Sequence, residues 1–217
     1  MEQSILTPSQ RKVLTAIAAE PRLVNYYLSG GTALAAYYFQ HRVYDDLDFF
    51  VFDDPDAVFL HEFSRKLSGE LAAKTCRFEK NHDRYQFYFE INAQETLKVK
   101  FTRYHFAALD KPQTKNGLRV DSLRDIAANK LMAMLDRFDP KDFVDLFFIL
   151  QRNNLGELRQ DTEKKFGIKI DGIFLGSEMG KVRRIVALPK MLKPLNIEEL
   201  KSFFTNQAKQ LSSEILL

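Results

Sequence analysis

Apolar positions recur with two different periods in this chain, and the changes between them divide it. Thr7-Pro8-Ser9-Gln10 has the residues of a helix N-terminus: a capping hydroxyl, a proline at the first helical position, and a glutamine placed to close a capping box. A helix is expected from there to about Ala19. Asn25-Tyr26-Tyr27-Leu28 reads as a short strand ending at Gly30-Gly31, and Thr32 to Gln40, rich in Ala, Leu and aromatics, reads as a helix. Leu47 to Phe52 is the next strand, after which Asp54-Pro55 repeats the cap-and-proline signal for a helix through about Leu71.

Between Arg84 and Arg103 the period shortens to two. Tyr85, Phe87, Phe89 and Ile91 alternate with polar residues, as do Leu97, Val99 and Phe101, with Asn92 to Glu95 between them as a turn. This is the pattern of an antiparallel hairpin with one face on a core, so the expected sheet is mixed. Beyond Val120 the helical period returns. Asp121-Ser122 caps a helix to about Arg137, and Asp139-Pro140 opens another with Phe143, Leu146, Phe147 and Leu150 on one side. Glycines at 167, 172, 176 and 180 then interrupt the pattern, and Asn196 to Leu211 reads as a final amphipathic helix. The expected fold class is α+β: a mixed β-sheet core packed by helices over residues 1–120, then a mainly helical region, residues 121–217, packed on that core.

Composition narrows the function classes. The 217 residues, 45% hydrophobic and 28% charged, match an ordinary globular protein that buries roughly 70% of its unfolded surface without a staple. Cys76 is the only cysteine, which excludes an intrachain disulfide and a cysteine-based zinc site. The N-terminus lacks a basic, then apolar, leader pattern, and no apolar run approaches the ~20 residues of a membrane span. A cytoplasmic protein, mature as written and without a membrane partner, is expected. Net charge is +3, but unevenly spread. Asp45, Asp46, Asp48, Asp53, Asp54 and Asp56 crowd one stretch. Lys98, Lys100, Arg103, Lys111, Lys115 and Arg119 are opposed only by Asp110, and Lys181, Arg183, Arg184, Lys190 and Lys193 form a run without acids. Such a chain can hold a metal in one place and a polyanion in another, or simply present solvated faces.

Candidate chemistry concentrates in residues 28–52. Asp46 and Asp48 lie at alternate positions of an expected strand, so both point to one face while Leu47 turns into the core. At about 5 Å and an effective dielectric of about 20 the carboxylates repel by about 3 kcal/mol, which a bound divalent cation reverses. Mg²⁺, or Mn²⁺ in its place, suits an all-oxygen donor set. Gly30-Gly31 at the start of a helix lets backbone approach a phosphate, and Thr32 offers a hydroxyl to the same group. A plain turn into a helix and acids on an edge strand are the alternatives for these residues.

Gly30-Gly31-Thr32-Ala33-Leu34, followed by His41-Arg42 and Asp46-Leu47-Asp48-Phe49-Phe50, resembles the first signature of the AbiEii/AbiGii toxin family of nucleotidyltransferases. Lys130-Leu131 with Ala133, Arg137 and Lys141-Asp142 with Asp145-Leu146 resembles its second. The likeness spans about Leu23 to Leu150. It implies a polymerase-beta-like core that moves a nucleoside monophosphate from a nucleoside triphosphate (NTP) to an RNA or protein acceptor, in a toxin held in check by a cognate antitoxin. It implies Asp46 and Asp48 as metal ligands and catalytic residues, Lys130 and Asp142 as catalytic, and Gly30, Gly31, Thr32, Arg42 and Lys130 as nucleotide contacts. On the residues alone, Arg42 pairs with a carboxylate such as Asp45 or Asp142, and Asp142 and Asp145 pair with Arg137 or act on substrate.

Three positions depart from the family pattern. Tyr44 stands where many members have Ser, Lys141 replaces an Arg, and Lys100 falls where a third carboxylate is usual. Loss of that acid removes the obvious base for an acceptor hydroxyl, leaving Glu90 or Asp142 as substitutes. A nucleotide-binding or interaction protein that has lost catalysis is therefore the second reading.

Overall fold

The alternation that marks residues 84–103 as a hairpin belongs to a seven-stranded mixed sheet in the computed structural model, which describes residues 5–213. Two compact units divide the chain. The first comprises residues up to Tyr38, Tyr44–Ala107 and Lys111–Ser122. The second comprises Phe39–Val43, Ala108–Asp110 and the chain from Leu123 onward.

The first unit carries α1 (Pro8–Ala18), β1 (Tyr27–Ser29), α2 (Gly30–Leu34), β2 (Asp46–Val51), α3 (Ala57–Glu70), β3 (Thr75–Asn81), β4 (Arg84–Asn92), β5 (Glu95–Arg103), β6 (Gln113–Lys115) and β7 (Leu118–Val120). Strand order is β3-β4-β5-β2-β1-β7-β6, with β2–β5 and β1–β7 parallel and the other pairs antiparallel. Registers Leu47↔Val99, Phe49↔Phe101, Phe87↔Val99 and Leu28↔Phe49 stack buried side chains on one face. Each such Leu or Phe contributes roughly 1.5–3 kcal/mol by leaving water. The opposite face carries the intervening residues, Asp46 and Asp48 of β2, Lys98 and Lys100 of β5, and Gln86 and Tyr88 of β4. A slip of one residue would bury these polar groups, so the apolar face sets the register of the polar one.

The caps decide where helices begin. In α1 the Gln10 amide N–H donates to Thr7 Oγ1 at 3.1 Å and the Thr7 amide to Gln10 Oε1 at 2.9 Å, the expected box. The helix after β2 starts later than Asp54-Pro55 suggests. Asp56 is the cap, accepting from the Phe59 amide at 3.0 Å, while Asp54 is drawn to Arg103 at 2.8 Å. α2 ends at Leu34 and continues as a π-helical turn over Ala35–Phe39. β3 was not legible because only Phe78 of its seven residues is even partly buried, which leaves no alternation to see.

The second unit holds α4 (Leu123–Asp136), α5 (Pro140–Leu150), α6 (Leu155–Phe166), α7 (Gly172–Gly180) and α8 (Ile197–Ser213). α5 is its centre, buried from Asp142 to Leu150, and packs Phe143 on Phe204 and Phe147 on Phe203 of α8. Its cap is as expected, with Asp139 accepting from the Lys141 amide at 2.9 Å. Asp121 behaves differently from a simple helix cap. It follows β7, and its carboxylate accepts from the Ser29 hydroxyl at 2.6 Å as well as from the Ser122 amide. No helix among the described residues is long and apolar enough to cross a membrane.

Candidate active site

β2 aims its two acids at one point on the polar face of the sheet. Lys100 of β5, opposite Asp48 in the register, places Nζ 2.7 Å from Asp46 Oδ2 and 3.0 Å from Asp48 Oδ1. Convergence of both carboxylates on one cation is the geometric test of a cation site, and the oxygen donors suit a hard divalent ion. The same ion pairs show that the protein supplies a cation of its own there. Among the described residues no cluster of three or more His, Cys, Asp and Glu side chains forms a metal-binding group. Burial works against the charge on Lys100, but Asp48 and Asp46 outweigh it and hold the ammonium above its ordinary pKa.

The neighbours of this pair are set by the glycines and by Thr32. Gly30 has φ +67°, a conformation that penalises a side chain, and a Cβ there would stand 3.1 Å from Asp48 Oδ2. Gly31 is required by a different contact, because a Cβ there would overlap the Tyr44 ring. α1 braces the same tyrosine, Gln10 Nε2 donating to the Tyr44 carbonyl at 2.7 Å. Thr32 is buried and its hydroxyl donates to the Asp46 carbonyl, tying α2 to the start of β2. Ser29 faces Asp48 across β1–β2 and donates to Asp121. Tyr44 thus accounts for Gly31 sterically, and Gly31→Ala should destabilise the first unit by about 1–3 kcal/mol. Urea unfolding of Gly31→Ala alone and with Tyr44→Ser checks this, with the double variant regaining most of the loss. No recovery would mean that the ring is not the obstacle.

Glu90 is not placed to stand in for an acid at position 100. Gln86, not Glu90, stands opposite Lys100, and Glu90 lies four residues along β4, roughly 13 Å away, where it accepts from the Thr75 hydroxyl at 3.0 Å.

The residues of the second signature form a buried charge network in the second unit. Asp145 accepts from Arg42 through both Nε (2.8 Å) and Nη2 (3.1 Å), from His41 Nε2 at 2.9 Å, and from Lys130 Nζ at 2.6 Å. Arg42 is thereby turned inward onto Asp145, not onto Asp45 or Asp142. Lys130 Nζ also reaches Asp142 Oδ1 at 3.0 Å, and Arg137 Nε reaches Asp142 Oδ2 at 3.0 Å. Burial alone would raise the Asp145 pKa, but Lys130, His41 and Arg42 hold it well below the usual carboxylate range. For Lys130, burial opposes the charge and the two aspartates overcome it. Desolvation dominates at His41 and lowers its pKa, so the ring is neutral and donates from Nε2 to Asp145.

Both lowered values act in one direction on stability. The unfolded chain takes up a proton at His41 below its ordinary value of about 6.5, and at Asp145 below about 3.9, before the folded chain does. Stability is therefore expected to fall as pH drops below about 6.5 and to fall further below about 4. Urea midpoints measured from about pH 7.5 to about pH 3 check this, and a flat profile would contradict the network's protonation states. Of these residues, Asp145 and His41 were legible as parts of a signature but not as its hub. Ser29 with Asp121 gave no local signal.

Comparison with known proteins places these features in a lineage. The profile of a family described as "Nucleotidyl transferase AbiEii toxin, Type IV TA system" matches residues 12–213. The uncharacterized protein aq_aa25 of Aquifex aeolicus (strain VF5) is 30% identical over 165 residues, covering 74% of this chain and 76% of that one. JHP933 from Helicobacter pylori superimposes with a TM-score of 0.61 at 19% identity, over 95% of this chain and 90% of that one. MenT4, the nucleotidyltransferase toxin Rv2826c from Mycobacterium tuberculosis H37Rv, does so with a TM-score of 0.57 at 14% identity, over 93% and 82%. At such identities the two superpositions speak to the fold.

Proposed function

The chain belongs to the AbiEii family of nucleotidyltransferase toxins from type IV toxin–antitoxin systems, and on that premise we propose that it transfers a nucleoside monophosphate from an NTP to an RNA acceptor, using Asp46 and Asp48 to hold Mg²⁺ or Mn²⁺. The observation that carries the reading is the convergence of these two carboxylates on a single cation position. In the reaction an acceptor hydroxyl oxygen attacks the α-phosphorus and gives its proton to solvent, the bond to the β-phosphate bridge breaks, and pyrophosphate leaves with the displaced charge. A divalent ion held by Asp46 and Asp48 would neutralise the triphosphate and polarise the α-phosphate.

The chain's own residues prepare that position. Gly30 keeps the space beside Asp48 free of a side chain, and Thr32 fixes Asp46 through its carbonyl. The Thr32 hydrogen is committed to that bond, so Thr32 serves here as a positioning residue. Arg42, bidentate on Asp145, serves structure. Lys130 and Asp142 enter the proposal through the family signature, Lys130 as a phosphate contact and Asp142 as the carboxylate that helps keep it charged. A cognate antitoxin follows from the family as the expected partner.

A specific observation favours a second reading. Lys100 already pairs with both carboxylates, as it would in a nucleotide-binding protein that has lost catalysis. Incubation with Mg²⁺, each labelled triphosphate and total RNA separates the two. Label in RNA supports transfer, while retained triphosphate binding without transfer to RNA or protein supports the second reading.

A further inference from the structure

The position of Lys100 raises a question that the family's chemistry leaves open, namely how a divalent cation reaches carboxylates that already hold a cation. Nζ sits within ion-pair distance of one oxygen from each aspartate, on a side chain about one-fifth exposed. A strand residue opposite Asp48 cannot leave this face of the sheet without breaking the β2–β5 register, and Val99 and Phe101 hold that register from the buried side. The lysine stem, however, is flexible, and its ammonium needs only another anion of comparable strength to move a few ångströms.

We propose that Lys100 is a tethered counter-ion that keeps the Asp46–Asp48 pair closed to divalent cations in the free protein and moves onto the polyphosphate when an NTP binds, so that metal and nucleotide are taken up together. The inference rests on the reading of Asp46 and Asp48 as metal ligands.

Charge counting supports it. Two carboxylates and one ammonium leave a net charge of −1, whereas adding a divalent ion with the ammonium in place makes it +1 and sets two cations against each other at contact distance. A triphosphate reverses the balance by offering the ammonium new oxygen acceptors. Lys100 then remains beside the reacting phosphates as a positive group where a third carboxylate would have been negative. Gln86, opposite Lys100 on β4, is neutral and imposes no charge on the displaced ammonium.

The test compares Mn²⁺ binding by the wild-type chain and Lys100→Gln, read from loss of the free Mn²⁺ paramagnetic resonance signal, without nucleotide. The variant is expected to bind Mn²⁺ at least about tenfold more tightly than wild type, and to lose this gain when Asp46→Asn and Asp48→Asn are added. Equal binding by wild type and variant would overturn the inference and leave nucleotidyl transfer untouched. Should the variant fail to fold, wild type alone decides. Equilibrium dialysis with a labelled non-hydrolysable NTP should show Mn²⁺ tightening nucleotide retention, although Mn²⁺ alone binds weakly. Tight Mn²⁺ binding by the nucleotide-free wild type would overturn the ordering. Absence of Mn²⁺ binding in both proteins, with and without nucleotide, would overturn the metal-ligand reading and this inference with it.

Discussion

Asp46→Asn combined with Asp48→Asn is expected to lower nucleotidyl transfer by at least about a thousandfold, the scale of losing a metal's several kcal/mol of transition-state stabilisation. Asparagine keeps the shape of each side chain and the apolar face of β2, so the sheet should survive. The charge change is the point: two carboxylates that now converge on Lys100 Nζ at 2.7 and 3.0 Å become amides with little hold on a divalent ion. Lys100 is then left half-buried without its counter-charges, at a cost of about 1–3 kcal/mol. Adding Lys100→Gln removes that cost and shows whether lost activity follows the site or the fold. Transfer within threefold of wild type in a folded double variant would exclude this pair as the site of chemistry.

Asp145→Ala is expected to have the largest effect on stability. Asp145 is fully buried and is the shared acceptor of Arg42, His41 and Lys130. Its removal leaves two buried cations facing each other, and breaking a buried pair of this kind costs about 3–5 kcal/mol. That is a large part of the 5–15 kcal/mol typical of a folded domain. Asp142→Ala is expected to cost less, since Lys130 keeps Asp145 and Arg137 is half-exposed and can turn to water. Urea unfolding followed by circular dichroism should therefore rank the two, Asp145→Ala below Asp142→Ala. The reverse order, or a loss under about 1 kcal/mol at Asp145, would contradict the assignment of Asp145 as the hub.

Local signals in the sequence reached as far as local physics does. Thr7 with Gln10 and Asp139 with Pro140 placed two helix starts because capping depends on residues within three positions of each other. The alternation of Tyr85, Phe87 and Phe89 placed β4 because one face of that strand is buried. The same rule failed at β3, whose faces are both mostly exposed, and at β6 and β7, where three residues make no period. Asp54 has the local signature of a cap because nothing near it in sequence shows that Arg103 claims it.

The candidate site divides along the same line. Asp46 and Asp48 are legible as a pair from their spacing, and Lys100 as a departure from the family pattern. That Lys100 bonds to both acids is a property of the parallel β2–β5 register, set by contacts some fifty residues apart. The bond from Ser29 to Asp121 and the bidentate hold of Arg42 on Asp145 span longer separations still, and only the assembled fold brings those groups together.

The central claim is that the acids on the polar face of β2 serve transfer of a nucleoside monophosphate. The most direct measurement incubates the intact protein with Mg²⁺ and total RNA, supplying each NTP labelled in turn at the α- and the γ-phosphate. Label from the α position should appear in RNA, label from the γ position should leave as pyrophosphate, and both should cease in the Asp46→Asn, Asp48→Asn variant. Transfer of the γ label to RNA, or α transfer that persists in the folded variant, would contradict the account.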